Sequence, residues 1–435
     1  MSSTIASSQN LSLRLLAVFF VASAVSLPIG GASLAKVLLF VVGLLYLTAG
    51  FLKNTGINYF GRLWTPASLL LAVATIAASL MWTEVGLELA LHSLVKHAKV
   101  IQIVLLVYLI RSLREARMAV TIFIAFQIFV LLSSWALAFG VSLPWAAGSN
   151  AIEKTRFVVF TDSYLDQSIM FVSTAAICWH LASEKLLPRN FATFVAVAAL
   201  LNVLLLLPGR TGYVIAAVVL CLSASWAIGV RPRLIVFVGT ALILAACVYM
   251  TSDRVKARVD LTIKEVHGYS GKAEVTNSAG WRMHVWLRSM QAIQERPWLG
   301  YGVGSWTPAV KRLEGSSAEK TFGVGPSSNP HQEYLLWGVE LGALGFLLLS
   351  TFLLAVVRDA LQFTEKVKHA TISLVTVIAT VSLFNSSLYD DHIGDYLCVA
   401  LGLLLAYGQH SQGNDRQLCN LTNLSGCDCD NSRKS

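Results

Sequence analysis

Apolar runs of about 18 or more residues recur along almost the whole chain, and each is long enough to cross a membrane as a helix. The composition agrees, because 55% of the residues are hydrophobic and 13% are charged, against about 25% charged residues in a typical soluble domain. The sequence therefore predicts an all-α polytopic membrane protein with about twelve transmembrane helices, at roughly 13–30, 34–51, 66–83, 95–110, 119–139, 166–183, 190–207, 211–229, 233–250, 331–357, 369–387 and 391–407.

The basic residues predict the orientation, because Lys and Arg accumulate on the cytoplasmic side of membrane proteins. With a cytoplasmic N-terminus, the inner connections and the tail carry Arg14, Lys53, Arg62, Arg111, Arg114, Arg117, Lys185, Arg189, Arg231, Arg233, Arg358, Lys366, Lys368, Arg416, Arg433 and Lys434. The short outer connections carry only Lys36, Lys96, Lys99, Lys154, Arg156 and Arg210. Both termini are therefore predicted to be cytoplasmic. The net charge of +9 mostly reflects this asymmetry and indicates no nucleic-acid partner.

The predicted organisation has four parts. Residues 1–250 carry spans one to nine, 251–330 form a long outer loop, 331–407 carry spans ten to twelve, and 408–435 form a disordered cytoplasmic tail. Loops as long as 251–330 are usually functional. This one contains a helical pattern, "SAGWRMHVWLRSMQAIQERPWLGYG", which Pro297 and Gly300 end.

A polar pair precedes the tenth span in "SSNPHQEYLLWGVELGALG". Asn329 is placed at the N-cap, Pro330 at the first helical position, and Gln332 where it closes a capping box. His331 then falls in the first turn, where the helix dipole disfavours imidazolium and favours the neutral ring that a proton acceptor needs.

The same stretch predicts a close helix–helix seam. At helical spacing His331 shares a face with Gly338, Gly342 and Gly345, and small residues at this spacing let another helix approach. On spacing alone, a packing motif with an incidental interfacial histidine explains the pattern equally well.

Three arginines on the predicted outer side are candidate anion ligands, since guanidinium forks match phosphate oxygens. Arg210 lies in the short connection between spans seven and eight, and the alternative is an interfacial arginine that snorkels. Arg282 and Arg288 lie on the predicted loop helix, and the alternative is a solvated basic face.

Metal and transporter chemistry are less well supported. The stretch "YDDHIGD", with Asp390, Asp391 and Asp395, is read as a polar helix entry rather than a metal site, so neither metal nor cofactor is predicted. Charges within the spans are scarce, Glu340 being the clearest exception. Ion-coupled transporters usually carry several intramembrane ionisable groups.

At these residues the sequence resembles the O-antigen ligases of bacterial envelopes. The family pattern is His, then Asn, Ser or Gln, nine residues, Gly, two residues, and Gly, Thr or Val. Here His331, Gln332, Gly342 and Gly345 occupy its fixed positions. The number of spans, the long outer loop before the histidine, and "SAGWRMHVW" followed by "RPWLGYGVGSW" are also similar to the family.

The resemblance implies a membrane glycosyltransferase of GT-C type in the bacterial inner membrane, with its active site facing the periplasm. The donor would be a glycan on undecaprenyl diphosphate and the acceptor a sugar hydroxyl of lipid A–core oligosaccharide, with inversion and without metal. The family's histidine carries over to His331, its hairpin arginine to Arg210, and its loop arginine to Arg282, with Arg288 as the second candidate.

Two enzymatic relatives remain open at this point: an O-antigen polymerase and a protein O-oligosaccharyltransferase, which use the same class of donor. The alternative function outside the glycosyltransferases is transport of a lipid or a solute. A transporter requires polar residues through the bilayer centre, which this chain largely lacks.

Overall fold

The computed structural model describes residues 2–52, 63–146, 156–161, 163–182, 184, 186–228, 278–315 and 329–423, with the single residues 239, 250, 256 and 260. Within these residues the secondary structure is helical and contains no strand. The helices are α1 Ser2–Ala24, α2 Ile29–Leu52, α3 Thr65–Ala78, α4 Leu87–Ala98, α5 Ile101–Leu109, α6 Leu113–Ala138, α7 Tyr164–Leu181, α8 Arg189–Leu205, α9 Arg210–Ile228, α10 Ser278–Glu295, α11 Trp306–Glu314, α12 Glu333–Ala360, α13 Glu365–Val381 and α14 Asp391–Asn423.

Helices occupy every segment in which a span is predicted, except 233–250, which lies almost entirely outside the described residues. By length and hydropathy, 4 of them can cross a membrane, Gly30–Gly50, Leu113–Ala138, Arg210–Ala227 and Glu333–Ala360, or 5 if α4 and α5, which meet at a bend of 42°, form one broken span. The prediction of a helical, multi-pass membrane protein is confirmed. The count of twelve spans stays a prediction, and 261–277, 316–328 and 424–435 lie outside the described residues.

The centre of the bundle is formed by α5 and α14. Every residue of α5 from Ile103 to Leu109 is at most 2% exposed, and α14 is buried from Ile393 to Tyr407. In contrast, α2 exposes a row of large apolar side chains, Leu34, Val37, Val41, Leu44 and Leu45. An exposed apolar face on a helix long enough to span is expected to contact lipid, so α2 lies at the periphery.

α12 is broken at Gly342, whose φ of 63° and ψ of −145° interrupt the helix. A break in a membrane helix leaves backbone groups without partners, and each must be satisfied by other protein groups. Residues 297–302 do this. Their hydrogen bonds are Tyr301 N–H to Val339 O (3.0 Å), Gly302 N–H to Glu340 O (2.8 Å), Ala343 N–H to Pro297 O (2.7 Å) and Leu344 N–H to Trp298 O (3.4 Å).

This break corrects the expected helix–helix seam. A Cβ on Gly342 would lie 2.5 Å from the backbone carbon of Trp298, so what approaches this glycine is an irregular loop and not another helix. A Cβ on Gly345 would collide with the carbonyl of Trp337, on the other side of the break in α12 itself. Gly338 alone behaves as expected, because it faces Ile293 of α10.

Replacement of Gly342 by leucine should destabilise the protein. A side chain at positive φ costs roughly 1–3 kcal/mol. The Cβ would in addition clash with the backbone of residues 297–298 and displace it from the break in α12. Thermal unfolding in detergent, followed by size-exclusion fluorescence, should show a lower midpoint for Gly342→Leu. Gly30→Leu is the matched control, since nothing lies within 4 Å of a Cβ there. Equal midpoints for the two variants would contradict this account.

Candidate functional site

His331 lies immediately before α12 and not in its first turn, so the predicted helix start is wrong by several residues. The reason is local. The Asn329 side chain accepts a hydrogen bond from the His331 backbone N–H (2.9 Å), which forms an Asx turn that competes with the helix. His331 has φ 51°, a left-handed conformation that is uncommon outside glycine and that collects at functional sites.

Gln332 is the N-cap of α12, not its third residue. Its side chain accepts the N–H of Leu335 (2.6 Å), while its own backbone N–H donates to Ser386 Oγ (3.1 Å). The next N–H, of Glu333, donates to Ser382 O (2.9 Å). The start of α12 is therefore satisfied by the segment that follows α13, which fixes the histidine against residues 382–390.

Asn385 contacts the His331 ring, Asn329 contacts the His331 backbone, and one carboxylate, Asp390, binds both asparagines. The His331 Nδ1 lies 3.2 Å from Asn385 Oδ1. The Asn385 amide nitrogen donates to Asp390 Oδ2 (3.0 Å), and the Asn329 amide nitrogen donates to Asp390 Oδ1 (2.9 Å). Since an amide oxygen only accepts, a neutral His331 carries its proton on Nδ1 and presents Nε2 as the acceptor. Burial raises the pKa of the Asp390 carboxyl, while charge on His331 and Lys99 acts in the opposite direction.

The two loop arginines lie on different faces of α10. Arg288 donates through Nε to Glu314 of α11, and His284 Nε2 lies 2.7 Å from the same carboxylate oxygen. The Glu314 side chain is 2% exposed, so this pairing joins α10 to α11. Arg288 is thus committed to an internal ion pair in this structure.

Arg282 lies on the face of α10 that meets the histidine segment. One turn further along, the Trp286 indole N–H donates to the Pro330 carbonyl (3.0 Å), next to His331. Arg282 is half-buried. Burial lowers the pKa of its guanidinium, and the positive charge of Arg210 lowers it further. The two arginines therefore interact, and arginine stays protonated in proteins.

Arg210 is the first residue of α9, after a connection of residues 206–209 from α8. The start of α9 packs tightly on the first turns of α7. A Cβ on Gly209 would lie 3.4 Å from the Tyr164 ring, and one on Gly212 would lie 2.8 Å from Ser168 Cβ. The first turn of α7 also carries Asp166, whose charge interacts with that of Asp390.

The remaining acids of "YDDHIGD" are paired with lysines and an amide. Asp395 accepts from Lys36 Nζ (2.7 Å) and from Gln102 Nε2 (2.7 Å). Asp391 lies 3.4 Å from Lys99 Nζ, and Lys99 also donates to the carbonyls of Tyr389 and Asp390. These contacts fix the entry of α14 beside the site, as the reading of a polar helix entry expects.

The comparison with protein families gives one result. Residues 194–350 match the model of a family described as O-Antigen ligase. The matched region is less than half of the chain. It contains Arg210, Arg282, Arg288 and the whole stretch from His331 to Gly345, so the resemblance found in the sequence is confirmed. No curated protein matches the chain.

Sequence reasoning did not find the residues that hold the ligase-family histidine. Asn385 and Asp390 lie more than fifty positions after His331, and Asp390 is read from the sequence only as a helix-entry acid. A sequence signal does exist: Asn385, Ser386 and Ser387 interrupt an apolar stretch between two spans. Polar groups in such a place need partners, but the sequence does not say which.

Asp390→Asn should lower transfer activity by roughly 10- to 100-fold, the scale seen for groups that orient a functional histidine. An amide cannot accept from both asparagines, so Asn385 loses its fixed orientation and Nδ1 its acceptor. Asp391→Asn is the matched control, because the Asp391 side chain is 67% exposed. Transfer rates of purified variants with equal unfolding midpoints are compared. Equal activity of the two variants would exclude a role of Asp390 in positioning His331.

Proposed function

We propose that the protein is an O-antigen ligase. It transfers a glycan from undecaprenyl diphosphate to a sugar hydroxyl of lipid A–core oligosaccharide, with inversion at the anomeric carbon and without a divalent metal. It works as a GT-C-type membrane enzyme with about twelve spans, both termini in the cytoplasm, and its site at the periplasmic face of the inner membrane. The family match and the inside-positive distribution of Lys and Arg support this proposal.

The observation that carries the proposal is the arrangement around His331. The backbone of His331 is left-handed, its Nδ1 faces an amide oxygen, and a carboxylate lies behind that amide, so Nε2 is the ring nitrogen that can accept a proton. A histidine that only capped a helix would require none of these contacts. The arrangement matches that of a general base held by a second group.

The reaction then proceeds by a single displacement. The acceptor hydroxyl gives its proton to Nε2 of His331, and its oxygen forms a bond to the anomeric carbon of the donor. The bond from that carbon to the diphosphate oxygen breaks, and the electron pair leaves with undecaprenyl diphosphate. Attack opposite the leaving group inverts the anomeric centre.

The leaving diphosphate gains negative charge as this bond breaks, and fixed cations stabilise such charge. Arg210 and Arg282 supply them: each belongs to a different helix, and their charges interact. The two positive charges repel each other, and an anion bound between them offsets this repulsion. We assign the diphosphate to this pair rather than to Arg288, which is bound to Glu314.

Deletion of the gene tests the proposed function in the cell. The strain should lose the O-antigen ladder on lipopolysaccharide gels and accumulate lipid-linked polymer of normal length. The wild-type protein should restore the ladder. His331→Ala should not, because loss of a general base costs about 10²–10⁴-fold in rate. Core bearing a single repeat would instead indicate a polymerase, and an unchanged ladder with loss of a glycoprotein would indicate a protein O-oligosaccharyltransferase.

Arg210→Ala and Arg282→Ala should weaken donor binding as well as turnover, because the diphosphate is charged before and during the reaction. We expect the donor KM to rise by about 10-fold or more for each, the scale of a lost charge-assisted hydrogen bond. Lysine should rescue only partly, since an ammonium lacks the two-pronged geometry.

The matched control is Arg288→Ala, which removes an arginine from the same helix as Arg282. Its donor KM should stay near that of the wild type, although its unfolding midpoint should fall because Glu314 keeps His284 but loses its guanidinium partner. A donor KM that rises only in Arg288→Ala would reverse our assignment. The assays are run in excess EDTA; inhibition that magnesium reverses would refute the metal-independent mechanism.

A further inference from the structure

A second concave site lies beside the histidine and shares none of its predicted residues. It is a cavity of about 410 Å³ between α4, α11 and α12, which falls within the range of about 300–1,000 Å³ typical of ligand pockets. Its lining residues are Val85, Gly86, Leu89, His92, Ser93, Gly304, Trp306, Thr307, Pro308, Lys311, Glu340 and Tyr389.

One wall of this cavity connects directly to the histidine site. Tyr389 lines the cavity, and the next residue, Asp390, holds the two asparagines around His331. The Tyr389 backbone is fixed from the other side, because Glu333, two residues after His331, accepts its N–H (3.4 Å). The cavity and the candidate base are therefore separated by only a few residues.

The walls combine apolar and aromatic surface with groups that bind hydroxyls and anions. Leu89 and Pro308 suit the C–H faces of sugar rings, whereas Thr307 and His92 suit their hydroxyls. Trp306, Tyr389 and Ser93 form the almost fully buried base of these walls. Glu340 on the floor is already occupied: its oxygens accept the Gly304 N–H (2.9 Å) and lie 2.8 Å from His97 Nε2.

Lys311 supplies the positive charge at this cavity. In the described part of the chain, no carboxylate forms an ion pair with Lys311, whereas its neighbour Arg312 binds Glu84 and Glu295. An ammonium group on the wall of a cavity, with no carboxylate paired to it among the described residues, favours an anionic ligand.

α4 lies between the cavity and the expected lipid. Leu87, Leu91 and Val95 recur every four residues on α4 and are 67%, 43% and 70% exposed, so they form an apolar stripe typical of a helix at a membrane interface. The opposite side of α4 buries Ser93 and His97 toward Glu340. A ligand whose lipid anchor lies in the outer leaflet therefore reaches the cavity past this helix.

We propose that this cavity is the acceptor subsite and that it binds the anionic saccharide head of a lipid-anchored acceptor, with Lys311 against an anionic group of the saccharide. The inference rests on the proposed function and locates one of its substrates. The donor diphosphate binds on the side of α7, α9 and α10, and the acceptor binds on the side of α4 and α11. The histidine segment is connected to both sides, because Trp286 of α10 donates to the Pro330 carbonyl and Asp390, next to Tyr389 of the cavity wall, binds Asn385.

Photocrosslinking tests the location. Leu89 lines the cavity and is 42% exposed, whereas Leu91, on the same helix, is 43% exposed and does not line it. Each is replaced by p-benzoylphenylalanine, and the purified protein is irradiated with purified lipid A–core that lacks O-antigen. Leu89→p-benzoylphenylalanine should form an adduct with the core saccharide that excess free core oligosaccharide suppresses, and Leu91→p-benzoylphenylalanine should form at least several-fold less.

Kinetics test the role of the charge. Lys311→Ala should raise the KM for lipid A–core by roughly 10-fold, as for a lost charge-assisted contact, with the donor KM unchanged. Lys311→Arg should restore most of the loss. Arg210→Ala should show the opposite split, with the donor KM raised and the acceptor KM unchanged.

The outcomes separate this inference from the proposed function. Adducts of equal yield at Leu89 and Leu91, or an unchanged acceptor KM in Lys311→Ala, would overturn the acceptor subsite while transfer by the wild type continues. A selective adduct in Leu89→p-benzoylphenylalanine, together with a wild-type protein that transfers no glycan, would support the subsite and refute the ligase.

Discussion

The rest of the structure depends on the repair of a broken membrane helix. Gly342 interrupts α12 within a span, where unpaired backbone groups cost several kcal/mol each. The segment 297–302 supplies the missing donors and acceptors through four backbone hydrogen bonds. Because this segment joins α10 to α11, the same bonds also fix both loop helices against α12. The position of the loop is thus set by the unpaired backbone groups of α12 at Gly342, which require hydrogen-bond partners.

Both proposed substrate sites follow from this attachment. With α10 held on α12, Trp286 reaches the Pro330 carbonyl, and Arg282 lies one turn away on the same helix. With α11 held on the same break, Trp306 and Lys311 close the cavity over Glu340. The buried carboxylate of Glu333 then ties the segment after α13 to the start of α12. A few polar contacts in apolar surroundings position every group that the proposed reaction uses.

The sequence predicts the helices well because apolar length is a local property, and the family match includes the stretch that contains the histidine motif. It fails where one segment determines the conformation of another. Asn329 and Pro330 read as a helix start, yet the Asx turn at Asn329 and the contacts of Gln332 with Ser386 delay the helix. Gly342 fits a packing motif equally well, and only the docked loop reveals a break. The pairing of Asp390 with two asparagines likewise depends on tertiary structure, which the sequence pattern does not show.

The docking of 297–302 has a consequence for how this architecture diversifies. A loop that makes no hydrogen bonds with a membrane helix can be exchanged between related proteins without any change in that helix. Here four bonds cross from loop to span at a single glycine, so the loop and α12 must be inherited together. A chimaera that exchanges residues 278–315 alone would pair a foreign loop with the native break in α12. The mismatch would first leave backbone groups of the membrane span unpaired, before it changed the candidate site.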